Sequence, residues 1–174
     1  MNSIDVDPEY QKILDKADKK NKDVFISNSC LGHAVYATEL ILNRSNNNNE
    51  FKMFSGQLKG DFYDTQKMRA AFKNAIGRGT KIRIVVEKIG NKKFLEFAKK
   101  EKKIEVSVLK ESKEKLGLKD FGHFLLVGSA FRIEKPHPLE KVIAEGVVNF
   151  NNREIANLLS TAFDVLIENS KKIN

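Results

Sequence analysis

The chain has 174 residues, of which 41% are hydrophobic and 31% charged, the balance of a water-soluble globular protein. Its apolar runs fall well short of the roughly 18 residues a membrane span requires, and the stretch from Met1 to Lys12 lacks the basic and then apolar layout of an export signal. One cysteine, Cys30, excludes an internal disulfide, and 31 Lys and Arg against 23 Asp and Glu give a net charge of +8, which favours anionic partners such as nucleic acid, nucleotides or phospholipid head groups.

Pro8 to about Lys20 places proline in a first helical turn after Asp7, with Tyr10, Ile13, Leu14 and Ala17 at helical spacing, and predicts a peripheral amphipathic helix. A charged linker follows, then a first strand at Val24-Phe25-Ile26, punctuated by Ser27-Asn28-Ser29. Leu31 to about Asn43 reads as a strongly buried helix with Ser29 as N-cap, and Cys30 beside it reads as a small core residue. The asparagines from Asn46 to Asn49 form a surface turn. Phe51 to Ser55 is the second strand, and Gly56 to Tyr63 is a loop. Asp64 caps a helix with Met68, Ala71, Phe72, Ala75 and Ile76 on one stripe, ended by Gly77.

Lys81 to Glu87 is a strand whose consecutive apolar tail implies burial on both faces, so helix, glycine turn and strand form the central unit of an α/β fold. A helix around Phe94, Phe97 and Ala98 and a strand with Ile104, Val106 and Val108 repeat the pattern. The lysine clusters Lys99 to Lys103 and Lys110 to Lys119 read as solvated faces, the second within a mobile connection. Pro136-His137-Pro138 breaks regular structure, Gly146 to Phe150 is the last strand, and Asn151 or Asn152 caps a long terminal helix. In it Ile155, Leu158, Leu159, Ala162, Phe163, Leu166 and Ile167 keep strict helical spacing, and Lys171 and Lys172 suit its C-terminal end. One domain over residues 1–174 is expected, with residues 1–22 as peripheral helix and linker, in the cytoplasm.

The stretch from Phe121 to Glu134, FGHFLLVGSAFRIE, predicts a β-hairpin. Gly128-Ser129 fits a two-residue type II′ turn and fixes the register: Val127 faces Ala130, Leu126 faces Phe131, Leu125 faces Arg132, Phe124 faces Ile133 and His123 faces Glu134. One face then carries Phe124, Leu126, Phe131 and Ile133, which enter the core. The other carries His123, Leu125, Arg132 and Glu134. Neither His33 nor His137 has a second ligand at metal-binding spacing, so no metal site and no cofactor are expected.

This order of elements, with GRGTKIRIVVE before the middle and FNNREIANLLSTAFDVLIENS at the end, resembles one catalytic module of the phospholipase D superfamily over about Val24 to Lys171. That family's motif is histidine, any residue, lysine, four residues, aspartate, with the histidine as nucleophile. Here the histidine is His123, while Leu125 stands at the lysine position and Ala130 at the aspartate position, so the motif is degenerate. The resemblance implies an α/β fold with a central mixed β-sheet flanked by helices on both faces. It also implies a homodimer, in which two modules bring their histidines together across a two-fold axis.

Three functions remain open from the residues. The first is a binding or regulatory module for a phosphate-bearing partner, nucleic acid first among them. The second is a metal-independent phosphodiesterase or nuclease in which His123 attacks, Glu134 orients the imidazole and Arg132 supplies the cation missing at Leu125. The third is a structural subunit without ligand. Ser27-Asn28-Ser29 and Ser55-Gly56 follow strand ends, where open α/β sheets bind ligands, and are expected to line the same cleft as His123; from them Ser27 and Ser55 join Arg132, Arg78 and Arg83 as anion-binding candidates.

Overall fold

A computed structural model describes residues 6–135 and 145–174, and the Pro136-His137-Pro138 break lies outside them. Eight strands form one mixed sheet in the order β1-β7-β6-β5-β2-β3-β4-β8. They are β1 Ile26–Asn28, β2 Phe51–Ser55, β3 Ile82–Val86, β4 Ile104–Leu109, β5 Phe124–Val127, β6 Ala130–Glu134, β7 Gly146–Asn149 and β8 Ser170–Lys172. The parallel block β2-β3-β4 is joined by helices, as parallel strands require, and its neighbours are antiparallel. The helices are α1 Pro8–Lys19, α2 Leu31–Asn43, α3 Gly60–Tyr63, α4 Gln66–Gly77, α5 Lys92–Lys100 and α6 Arg153–Glu168. No described helix is long and apolar enough to cross a membrane.

The sheet separates two apolar clusters. On one side α6 lays Ala156, Leu159, Ala162, Phe163 and Leu166 over Phe54, Val85, Phe124, Leu126 and Phe131. On the other, the apolar faces of α1, α2, α4 and α5 cover Met53, Ile84, Val106, Leu125 and Val127. Both faces of the hairpin are therefore inside. Leu125 is 3% exposed and Arg132 2%, so the face that carries His123, Arg132 and Glu134 lies under α1 and α2 rather than open to solvent. The hairpin register is as the turn dictates, with Gly128 at φ +56° supplying the positive torsion that a type II′ turn needs at its first central residue.

Several elements differ from the sequence reading. Val24 and Phe25 are exposed and the first strand runs on through Ser27 and Asn28, because pairing with β7 sets its position at the sheet edge. Cys30, not Ser29, is the N-cap of α2; it makes no side-chain cap bond and is exposed rather than core. Thr65 caps α4 by accepting from the Met68 amide, while Asp64 pairs with Arg69; the left-handed glycine after α4 is Gly79, not Gly77. α1 is less peripheral than expected, since Leu14 is fully buried and Tyr10 and Ala17 join the core. Lys171 and Lys172 lie in β8, an edge strand against β4, rather than in the turn of a helix.

Candidate functional site

The pairing registers align one transverse row at the end of the sheet where the parallel strands finish. Asn28 pairs with Gly146 and Gly146 with Glu134. His123 lies opposite Glu134, whose amide donates to the His123 carbonyl at 2.8 Å. Continuing the β2–β5 register by one residue sets Ser55 beside His123, and Ser55 pairs with Val86, next to Glu87. Glu87 follows β3 directly and its amide donates to the Ser55 carbonyl at 3.0 Å. Open α/β sheets gather chemistry at this end because the strands deliver side chains there while the loops leave room above them.

His123 stands between two carboxylates. Its Nε2 is 2.8 Å from Glu87 Oε1 and its Nδ1 is 3.4 Å from Glu134 Oε2. The other oxygen of Glu134, Oε1, accepts from Arg132 Nη1 at 2.7 Å, and Arg132 Nε donates to Asn28 Oδ1 at 3.2 Å. The guanidinium thus reaches from Asn28 to Glu134, the two neighbours of Gly146 in the row, where no side chain competes for the space. Phe54 packs edge-on against the imidazole, ring centres 5.5 Å apart.

These contacts set the protonation. Burial alone would push the imidazole pKa down, but the hydrogen bonds and charges of Glu134 and Glu87 outweigh it, and His123 titrates above its ordinary value. Burial works against ionised Glu87 as well, yet its bond to His123 holds its carboxyl below the usual range. The site therefore sets an imidazole whose charged form is favoured, and a guanidinium, against two carboxylates, with Lys113 and Lys88 also acting on Glu87. Attack on phosphorus needs a ring nitrogen with a free lone pair, and an imidazolium has none. An approaching phosphodiester would also meet Glu87 and Glu134.

The proton linkage gives an expected pH profile. The folded protein holds the His123 proton more tightly than the unfolded chain, so this contribution to stability is complete below pH 6.5, the ordinary imidazole value, and is lost as pH rises through the folded-state value. Glu87 acts in the opposite sense: its contribution is present above pH 4.5 and lost as pH falls through its lowered value. The thermal midpoint of the wild type should therefore fall between pH 6.5 and the alkaline range more steeply than that of His123→Gln. Equal slopes for the two proteins would contradict the imidazolium assignment.

Of the residues singled out from sequence, His123, Glu134, Arg132 and Ser55 meet in this row. Ser27 does not: it is exposed, and strand alternation gives its place to the buried Asn28. Arg78 sits beyond the opposite end of β3, donating to the Leu42 and Ser45 carbonyls at 2.7 and 3.1 Å, where it closes the C-terminal end of α2. Arg83 lies mid-strand beneath α6, forked onto Glu50 at 2.6 and 3.1 Å and over the Phe163 ring. Both arginines are occupied by the fold itself. Glu87 was missed, although it stands at a strand end where the sheet rule would have found it; Asn28 was read only as part of the Ser27-Asn28-Ser29 segment, without a role of its own. Among the described residues no cluster of His, Cys, Asp and Glu is arranged to hold a metal ion.

No protein-family model and no curated protein matches the sequence. Among solved structures the chain is similar to TrmBL2, an archaeal chromatin protein with a novel mode of DNA binding, with a TM-score of 0.60 and 14% identity over 95% of this chain. The chain spans 61% of the length of that TrmBL2 chain. It is also similar to Nuc from Salmonella typhimurium, a phospholipase D family member, with a TM-score of 0.61 and 11% identity over 87% of this chain and 98% of Nuc. At such identities the likeness is one of fold, and the mixed eight-stranded sheet with its C-terminal helix is a phospholipase D-like α/β architecture.

Proposed function

We infer that this chain is a phospholipase D superfamily module whose degenerate motif no longer cleaves phosphodiesters, and that it serves as a binding or regulatory unit for nucleic acid. The observation that carries the loss of chemistry is the engagement of both His123 nitrogens by carboxylates, together with Leu125 at the motif's lysine position. Binding in place of cleavage is in keeping with the DNA-binding neighbour TrmBL2. We take the module to act in the cytoplasm as a single domain and as a homodimer.

A run of exposed positive charge lies on and just after α5. Lys92, Lys93, Lys99 and Lys100 on α5, with Lys102 and Lys103 in the following turn, are exposed, and among the described residues none of them is in an ion pair. Glu96 is the one acid on the exposed face of α5. This face, rather than Arg78 and Arg83, is where phosphate contacts are expected. Such contacts release counterions, each neutralised phosphate adding about 0.9 to the log–log salt slope on duplex DNA.

With about four phosphates neutralised, affinity for a duplex of arbitrary sequence should fall roughly a hundredfold between 50 and 200 mM salt. The charge reversal Lys93→Glu with Lys100→Glu should flatten that slope. A titration of labelled duplex at several salt concentrations reads both. Affinity that is independent of salt, or no binding at 50 mM, would overturn the nucleic-acid reading.

A further inference from the structure

A cleft of about 560 Å³ opens on the α6 side of the sheet, at the end of β2 away from the His123 row. Its volume falls within the range of about 300–1,000 Å³ that small-molecule sites occupy. Arg153, Ala156, Asn157 and Ser160, at helical spacing along one stripe of α6, form one wall. The β5–β6 hairpin brings Leu126 beside the Gly128 turn, and the segment entering β2 brings Asn48, Asn49 and Lys52. The asparagine loop is held in shape from within. Asn46 Oδ1 accepts from the Asn48 amide at 2.8 Å, and the Asn46 carbonyl accepts from the Asn49 amide at 3.3 Å.

The cleft gathers polar groups that the fold leaves unengaged. Arg153 is exposed and makes no hydrogen bond or ion pair among the described residues, and neither do the side-chain amides of Asn48, Asn49 and Asn157. The Lys52 ammonium donates to Ser160 Oγ at 2.8 Å and to Asp164 Oδ1 at 2.9 Å, which leaves one of its three N–H groups and the Ser160 hydroxyl proton available. Lys52 is mostly covered and lies over the Phe163 ring, so its charge is held in place. Around the cleft Lys52, Lys81, Arg83 and Arg153 stand against Glu50 and Asp164, and the balance is positive. Leu126 and Ala156 supply an apolar floor between the polar walls.

We propose that this cleft binds a nucleoside monophosphate, with its phosphate on Arg153 and Lys52 and its base over Leu126 and Ala156, where the asparagine amides read the base edge. A guanidinium and an ammonium together match the charge and the acceptor oxygens of a phosphate monoester. Side-chain amides carry a donor and an acceptor side by side, as base edges do. A lone phosphate would fill little of the volume and would leave the asparagines unengaged. The α5 lysines belong to the opposite side of the sheet, since α5 packs into the other apolar cluster, so the proposal does not depend on nucleic-acid binding there.

Calorimetric titration of the full chain with AMP, GMP, CMP and UMP tests this, with inorganic phosphate, ribose phosphate and the free nucleosides as partial probes. At least one nucleotide should bind saturably and more tightly than any of its fragments. Arg153→Ala removes an exposed side chain without a partner; it should weaken that nucleotide about tenfold and leave the thermal midpoint of the free protein unchanged. Asn157→Trp, also at an exposed helix position, fills the cleft and should abolish binding. Lys93→Glu with Lys100→Glu, on α5, should leave nucleotide affinity as it is. Loss of binding in that double variant would place the nucleotide on α5 and overturn the proposal. So would the absence of binding by every nucleotide, equal affinity for ribose phosphate or inorganic phosphate, or wild-type affinity in both Arg153→Ala and Asn157→Trp.

Discussion

Arg132→Ala should destabilise the protein by about 3 kcal/mol, the lower end of what breaking a buried charge pair costs. The guanidinium is 2% exposed and holds both Glu134 and Asn28; removing it leaves the carboxylate with less countercharge and the amide oxygen without this donor, beneath α1 and α2. In a chain of this size 1 kcal/mol moves the midpoint by about 2–4 °C, so a fall near 10 °C is expected. Arg132→Met, which restores the stem but not the charge, should recover little of the loss. If methionine restores wild-type stability, the side chain acts through packing alone, and the charge arrangement of the row is wrong.

Gly146→Ala should be comparably damaging, although alanine is normally the better strand residue. A Cβ at this position would lie 2.3 Å from the Ile133 carbonyl oxygen and 3.2 Å from the Glu134 Cα, both backbone atoms of the paired strand. Neither can rotate away, so β7 must separate from β6, and the cost falls at the upper end of overpacking, about 3 kcal/mol. The row would be distorted with it, since Gly146 lies between Asn28 and Glu134. Gly77→Ala provides the contrast: nothing lies within 4 Å of a Cβ there, and the residue ends α4, so a gain of about 0.5–1 kcal/mol is expected. Chemical denaturation of the two variants tests the pair, and similar midpoints for both would contradict the close approach of β6 and β7.

The parts of this architecture that local chemistry specifies were legible from the residues. The Gly128-Ser129 turn dictated the hairpin register, and the spacing from Ile155 to Ile167 dictated α6. What escaped depended on distant segments. Polar residues on alternate positions of β6 look like a solvent face, and only the docking of α1 and α2 turns Arg132 into a buried group. Val24 and Phe25 read as a strand by composition, but the edge position of β1 left them exposed and shifted pairing onto Ser27 and Asn28. β8 has three residues, two of them lysine, and carries no alternation to detect. The candidate site was legible in part: His123, Arg132 and Glu134 follow from the hairpin, and Ser55 and the segment holding Asn28 from the strand-end rule, whereas Glu87 arrives on a strand far away in the chain. Glu87 matters most, because it occupies the nitrogen that a nucleophile would need.

The most direct test of the central claim is a metal-free incubation of the purified protein with end-labelled duplex DNA at 50 mM salt in excess chelator, resolved for both retardation and strand breaks. The account predicts a retarded duplex that stays intact over long incubation, with His123→Ala giving the same pattern. A duplex cleaved by the wild type and spared by His123→Ala would contradict it, because His123 would then be a working nucleophile despite Glu87 and Glu134.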